Sequence, residues 1–90
     1  MPSADAIFGD RYGLHPRAAN RIRETATGFG SRITLRPVDG GSEIDAGSML
    51  GLVSAGIRTG DRVTVTTDGP DADAALAAMK ALLDGGVCHP

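Results

Sequence analysis

The chain predicts an α+β fold: an open-faced sandwich in which a four-stranded antiparallel sheet is covered on one face by three helices. Three observations predict it. Apolar residues recur with period two in some segments and with helical period in others, in the order strand, helix, strand, strand, helix, strand, helix. An Asp39-Gly40-Gly41 turn joins the second and third strands as a hairpin, which pairs them antiparallel. Each strand has a single apolar face, so the helices have one face to cover, and the other, rich in Thr and Arg, stays in water.

The first strand is expected over residues 4–8, with Ala6 and Phe8 on one side and Asp5 and Ile7 on the other. A turn at Gly13 leads to a helix from Pro16 to about Thr27. Ala18, Ala19, Ile22 and Ala26 share one of its faces. Pro16 suits the first helical position, where its missing N–H would have no intrahelical partner, and Gly28 suits the stop. Arg32-Ile33-Thr34-Leu35-Arg36 alternates cleanly as the second strand, and Glu43-Ile44-Asp45-Ala46 returns as the third. Ser48 reads as the N-cap of a short helix with apolar positions Met49, Leu50, Leu52 and Val53, ending near Gly56. That helix cannot point all four inward, so at least one is expected to be exposed. Thr59-Gly60 turns the chain into the fourth strand, Asp61 to Thr67. Gly69-Pro70-Asp71 opens the last helix, which runs to about Asp84 with Ala72, Ala75, Leu76, Met79, Leu82 and Leu83 as its apolar face. Residues 85–90 read as a frayed tail.

Ninety residues are read as one domain with a modest core. Phe8, Tyr12 and Phe29 are the only aromatics, so that core is aliphatic. A net charge of −2 argues against a general nucleic-acid or membrane binder. The charge is unevenly spread: Arg11, Arg17, Arg21 and Arg23 have no acid among them, whereas the last helix carries Asp71, Asp73 and Asp84 against Lys80. A basic face of this kind attracts an anionic ligand or an acidic partner. The single Cys88 has no internal disulfide partner, and no signal-like or membrane-length apolar run is present, so a cytoplasmic location is expected. Cys88 and His89 together are too few ligands for a metal site. Neither a metal nor a cofactor is expected.

The chemistry concentrates in Gly13-Leu14-His15-Pro16-Arg17-Ala18-Ala19-Asn20, where a histidine stands at a helix start with an arginine two residues on. Free N–H groups at a helix N-terminus favour an anion. A guanidinium matches phosphate oxygens, and an unprotonated imidazole nitrogen can attack phosphorus. On spacing alone, a lone histidine at such a place is more often a cap or a solvated surface residue.

Gly13-Leu14-His15-x-Arg17-x-Ala19 resembles the active-site signature of the HPr family, the phosphocarriers of the bacterial phosphoenolpyruvate:sugar phosphotransferase system. Ser48-Met49-Leu50-Gly51-Leu52-Val53-Ser54-Ala55-Gly56-Ile57 is similar to the family segment that holds a regulatory serine and a hydrophobic docking helix. The resemblance spans nearly the whole chain, and the family fold agrees with the one read above. It implies that His15 takes a phosphoryl group on Nδ1 from enzyme I and passes it to sugar-specific IIA components. Arg17 would stabilise the transferring group. Asn20, Met49 and Leu50 would contact the partners, and Ser48 would be the position that an HPr kinase modifies in some bacteria. A carrier of this kind is itself a substrate and not a turnover enzyme, and a monomer is the simplest expectation.

Four positions depart from the pattern. The family usually has a small residue before the arginine and a proline after it, whereas here Pro16 precedes Arg17 and Ala18 follows. The exchange removes an N–H at position 16, so a phosphoryl group would rely on those of Arg17 and Ala18. Tyr12 stands where a small polar residue is usual, and Gly47 where kinase-regulated members often have a basic one. Two other readings fit the same residues. One is an HPr-like regulatory module of the nitrogen-control or dihydroxyacetone-kinase type. The other is a small acyl-phosphate hydrolase on a similar sandwich.

Overall fold

A computed structural model of the chain describes residues 2–9, 16–38, 42–54 and 57–85. The elements are β1 (Ser3–Ile7), α1 (Pro16–Thr27), β2 (Arg32–Pro37), β3 (Ile44–Asp45), α2 (Met49–Ser54), β4 (Arg62–Asp68) and α3 (Ala72–Gly85). The sheet order is β1-β4-β2-β3, and every pairing is antiparallel. α3 lies along β1, β4 and β2, and α1 packs against α2 and α3.

The strand alternation settles which face is covered. Val63, Val65 and Thr67 of β4 are buried, while Arg62, Thr64, Thr66 and Asp68 are exposed or half-buried. On β1 only Ala6 is buried, and Phe8, just beyond the strand, points the same way into the core. Ile33 and Leu35 of β2 face the helices. Thr34 belongs to the open face yet is buried, because it pairs with Thr66 on one side and Asp45 on the other. Each helix supplies a stripe: Ala18, Ala19, Ile22 and Ala26 from α1, Leu52 from α2, and Ala75, Met79 and Leu83 from α3. The core is aliphatic apart from Phe8, with Phe29 packed at its margin.

β3 is shorter than the expected Glu43–Ala46, and the cause is Asp45. Its Oδ1 accepts the N–H of Gly47 at 2.9 Å and its carbonyl accepts the N–H of Ser48 at 2.9 Å. This side-chain turn bends the backbone out of the ladder, although Ala46 still donates to the carbonyl of Ile33 at 3.0 Å. The last helix extends one residue further than expected: Gly85 is its final residue and not part of a tail.

The junction of β4 with α3 is built from polar groups that the hydrophobic pattern does not reveal. Thr67 is fully buried, and its hydroxyl donates to the carbonyl of Ala72 at 2.8 Å. Asp71 reaches back to the residues before β2, accepting the Gly30 N–H at 2.9 Å and the Ser31 hydroxyl. Gly69 makes this approach possible: a Cβ there would lie 2.6 Å from the Cα of Ser31, and its φ of +152° disfavours other residues. The Asp39–Gly41 turn, Gly56 and residues 86–90, with Cys88 and His89, lie outside the described residues.

Candidate functional site

Pro16 is the first residue of α1, as its chemistry requires. The next N–H groups, those of Arg17 and Ala18, belong to the first turn and have no intrahelical acceptor. No acidic residue stands in that turn to neutralise it. The helix start is therefore electropositive, an end that favours an anion. Arg17 is exposed, while the side chains of Ala18 and Ala19 are buried in the core. The buried alanines fix the helix against the domain, and the guanidinium stays at the surface beside the chain position that His15 precedes. His15 itself, with Arg11, Tyr12, Gly13 and Leu14, lies outside the described residues.

Arg21, four residues after Arg17, is also exposed and extends the positive stripe along α1. Arg23 is engaged otherwise. Its Nη2 donates to Asn20 Oδ1 at 2.9 Å, and Asn20 Nδ2 donates to Glu24 Oε1 at 2.8 Å. Asn20 is thus half-buried between a cation and an anion of its own helix, with both ends of its amide occupied.

α2 touches α1 directly. Ser48 caps it: the hydroxyl accepts the N–H of Gly51 at 3.2 Å, and the carbonyl accepts that of Leu52 at 3.0 Å. The four apolar positions then divide. Leu52 is buried and Met49 is half-buried against the core, whereas Leu50 is 78% exposed and Val53 41% exposed. Of the two apolar docking residues implied by the resemblance, Leu50 is the projecting one and Met49 supports it from the core side. Val53 joins Leu50 at the surface. Six residues are too few for a helical period to single it out, and only its exposure in the fold does so. An electropositive helix start and a neighbouring apolar projection can together hold an anion and dock a protein with an apolar patch of its own.

The family model for the PTS HPr component phosphorylation site matches residues 3–84. The chain is 37% identical over 84 residues to the phosphocarrier protein HPr of Mycoplasma genitalium, covering 93% of this chain and 94% of that protein. It is 44% identical over 72 residues to a multiphosphoryl transfer protein of Xanthomonas campestris pv. campestris. That match covers 80% of this chain but spans only 8% of the longer relative. The crystal structure of HPr-C-His from Thermoanaerobacter tengcongensis superposes with a TM-score of 0.85 at 27% identity, covering 94% of this chain and 93% of that one. With the sheet order, the three helices and the matched span in agreement, the chain belongs to the PTS HPr family of phosphocarriers.

Proposed function

We propose that His15 is the phosphoryl acceptor and donor of this chain, loaded by enzyme I and unloaded by sugar-specific IIA components. The neutral imidazole attacks phosphorus through the Nδ1 lone pair. A new N–P bond forms as the N–P bond to the donor's histidine breaks, and the bonding electrons return to the donor ring. The transfer runs between two nitrogens of similar basicity, so it is reversible, as a carrier requires. The role of the protein is then electrostatic. The N–H groups of Arg17 and Ala18 and the Arg17 guanidinium face the equatorial oxygens as charge spreads over them. Leu50, Val53 and Met49 form the apolar contact with both partners, and Asn20 borders it.

One observation carries this reading: a first helical turn without acid, with an exposed Arg17, begins immediately after His15. Modification of Ser48 by an HPr kinase belongs to the same proposal. It would add up to two negative charges beside Leu50 and weaken contact with an acidic donor. The protein acts as a monomer in the cytoplasm on this reading, and no helix among the described residues is long and apolar enough to cross a membrane.

Incubation with enzyme I and phosphoenolpyruvate tests the proposal. The chain should incorporate acid-labile, base-stable phosphate, and His15→Ala should incorporate none. Absence of labelling beside an enzyme I that labels another HPr would reject it. Phosphoryl exchange with isolated IIA components then separates a sugar-transport role from a regulatory module.

A further inference from the structure

α1 carries three arginines and a single acid, Glu24, and α2 carries no charged residue. Glu24 is therefore the one carboxylate on the two helices that bear Arg17, Leu50 and Val53. It shares the outer face of α1 with Arg17 and Arg21, seven and three residues before it, and all three side chains are exposed. Its line on the helix borders α2. Asn20, Glu24 and Thr27 follow one another along α1, and Thr27 donates its hydroxyl to the Glu24 carbonyl at 3.2 Å. The same Thr27 meets the entry to α2: a Cβ on Gly47, just before the Ser48 cap, would lie 3.9 Å from Thr27 Cγ2.

Glu24 is held in place without being neutralised. Arg21 stands at a spacing that ordinarily pairs with an acid. Glu24 makes no ion pair with it or with any other described residue, and takes the N–H of Asn20 Nδ2 instead, at 2.8 Å. The amide of Asn20 has one way to stand. Its oxygen accepts Arg23 Nη2 at 2.9 Å, and turning it over would set NH₂ against guanidinium and oxygen against carboxylate. A neutral amide thus fastens the carboxylate and leaves its charge facing outward. The surface is bipolar as a result: guanidiniums at the start of α1, Leu50 and Val53 beside them, and a fixed carboxylate two turns along.

We propose that Glu24 determines partner specificity. A productive partner sets acids against Arg17 and Arg21, an apolar patch against Leu50 and Val53, and a basic group against Glu24, about 10 Å along α1 from Arg17. A partner that is acidic over the whole patch meets Glu24 as a like charge and is disfavoured. The inference rests on the reading of α1 and α2 as the surface that docks enzyme I, and it adds a charge order that this partner has to match.

The test uses the full chain, Glu24→Gln and Glu24→Lys, with Tm measured for each. Both positions of the amide bond are kept in Glu24→Gln, which retains Oε1 for Asn20. KM for phosphoryl transfer from phosphorylated enzyme I should rise about twofold in Glu24→Gln and about fivefold in Glu24→Lys, with the change falling on KM and not on kcat. The differences should vanish at about 1 M salt, where exposed charges are screened beyond about 3 Å. A KM that is unaltered in Glu24→Lys, or that falls, would overturn the proposal, as would a difference that persists in high salt. Calorimetric Kd values for unphosphorylated enzyme I read the same order without any transfer step. A chain that binds but takes no phosphoryl group therefore rejects the acceptor reading alone, and the order of Kd values still decides the role of Glu24. No binding of enzyme I by the unmodified chain overturns both.

Discussion

At the scale of single residues, the helix start was legible and the polar fasteners were not. Pro16 and Arg17 could be read because each has one function at a helix start. The first has no N–H to lose, and the second brings a cation to a place that favours anions. The displaced proline makes a direct prediction. Pro16→Ala restores an N–H to the first turn, and one hydrogen bond to a charged group contributes about 1 kcal/mol at an exposed site. The equilibrium with phosphorylated enzyme I should shift about fivefold toward the phosphorylated variant; an unshifted equilibrium would remove the first-turn N–H groups from the account. Asp71 was legible only as a helix-start acid. Its partners, Gly30 and Ser31, lie some forty positions away, and no spacing rule connects them. The Ser31 hydroxyl first, and then the Gly30 N–H, hold its carboxyl below the ordinary value of 3.8. The unfolded chain therefore takes up that proton more readily than the folded one. The stability from these bonds is complete above the ordinary value and is lost as pH falls through the lower, folded value. Asp71→Ala should have a lower Tm than the unmodified chain at neutral pH, and the gap should close in acid below 3.8. A gap independent of pH would mean that the carboxylate contributes nothing through these bonds.

At the scale of elements, length decided what could be read. α1 covers more than three turns, and all four residues assigned to its inner face are buried. α3 is similar: Ala75, Met79 and Leu83 form its buried line, with Leu76 and Leu82 packed at the margin. α2 has six residues, less than two turns, so the inward or outward course of Met49, Leu50 and Val53 depends on the surface it meets and not on its own period. β3 failed at its edges for the same reason, since one side-chain turn from Asp45 outweighs the β propensity of four residues. The functional prediction at this scale concerns α2. Leu50→Ala removes an exposed side chain, so Tm should change by little, within about 0.5 kcal/mol of stability. KM for phosphorylated enzyme I should rise several-fold with kcat unchanged. An unaltered KM would place the docking contact elsewhere.

At the scale of the whole molecule, the fold class followed from the order of periodicities and the hairpin, because an antiparallel sheet with one apolar face leaves few other arrangements. The strand order β1-β4-β2-β3 was not contained in the pattern: β4 inserts between β1 and β2, and only long-range pairing sets it there. Met79, fully buried where α3 crosses the sheet, ties the two layers together. Met79→Ala should lower stability by roughly 2–5 kcal/mol in denaturant unfolding. A smaller loss would mean that the layers close over the gap. Of the candidate site, the described part comes from two helices, and Leu50 and Val53 stand out from the core residues beside them only once α2 is packed.

The most direct measurement is the location of the phosphoryl group after loading by enzyme I, by phosphorus and nitrogen NMR of a chain with labelled histidine rings. The chain has two histidines, so His89 serves as the internal control. The account predicts a single phosphorylated ring, that of His15, substituted at Nδ1, with His89 unchanged. Phosphate on His89, on both rings alike, or on neither, would contradict it.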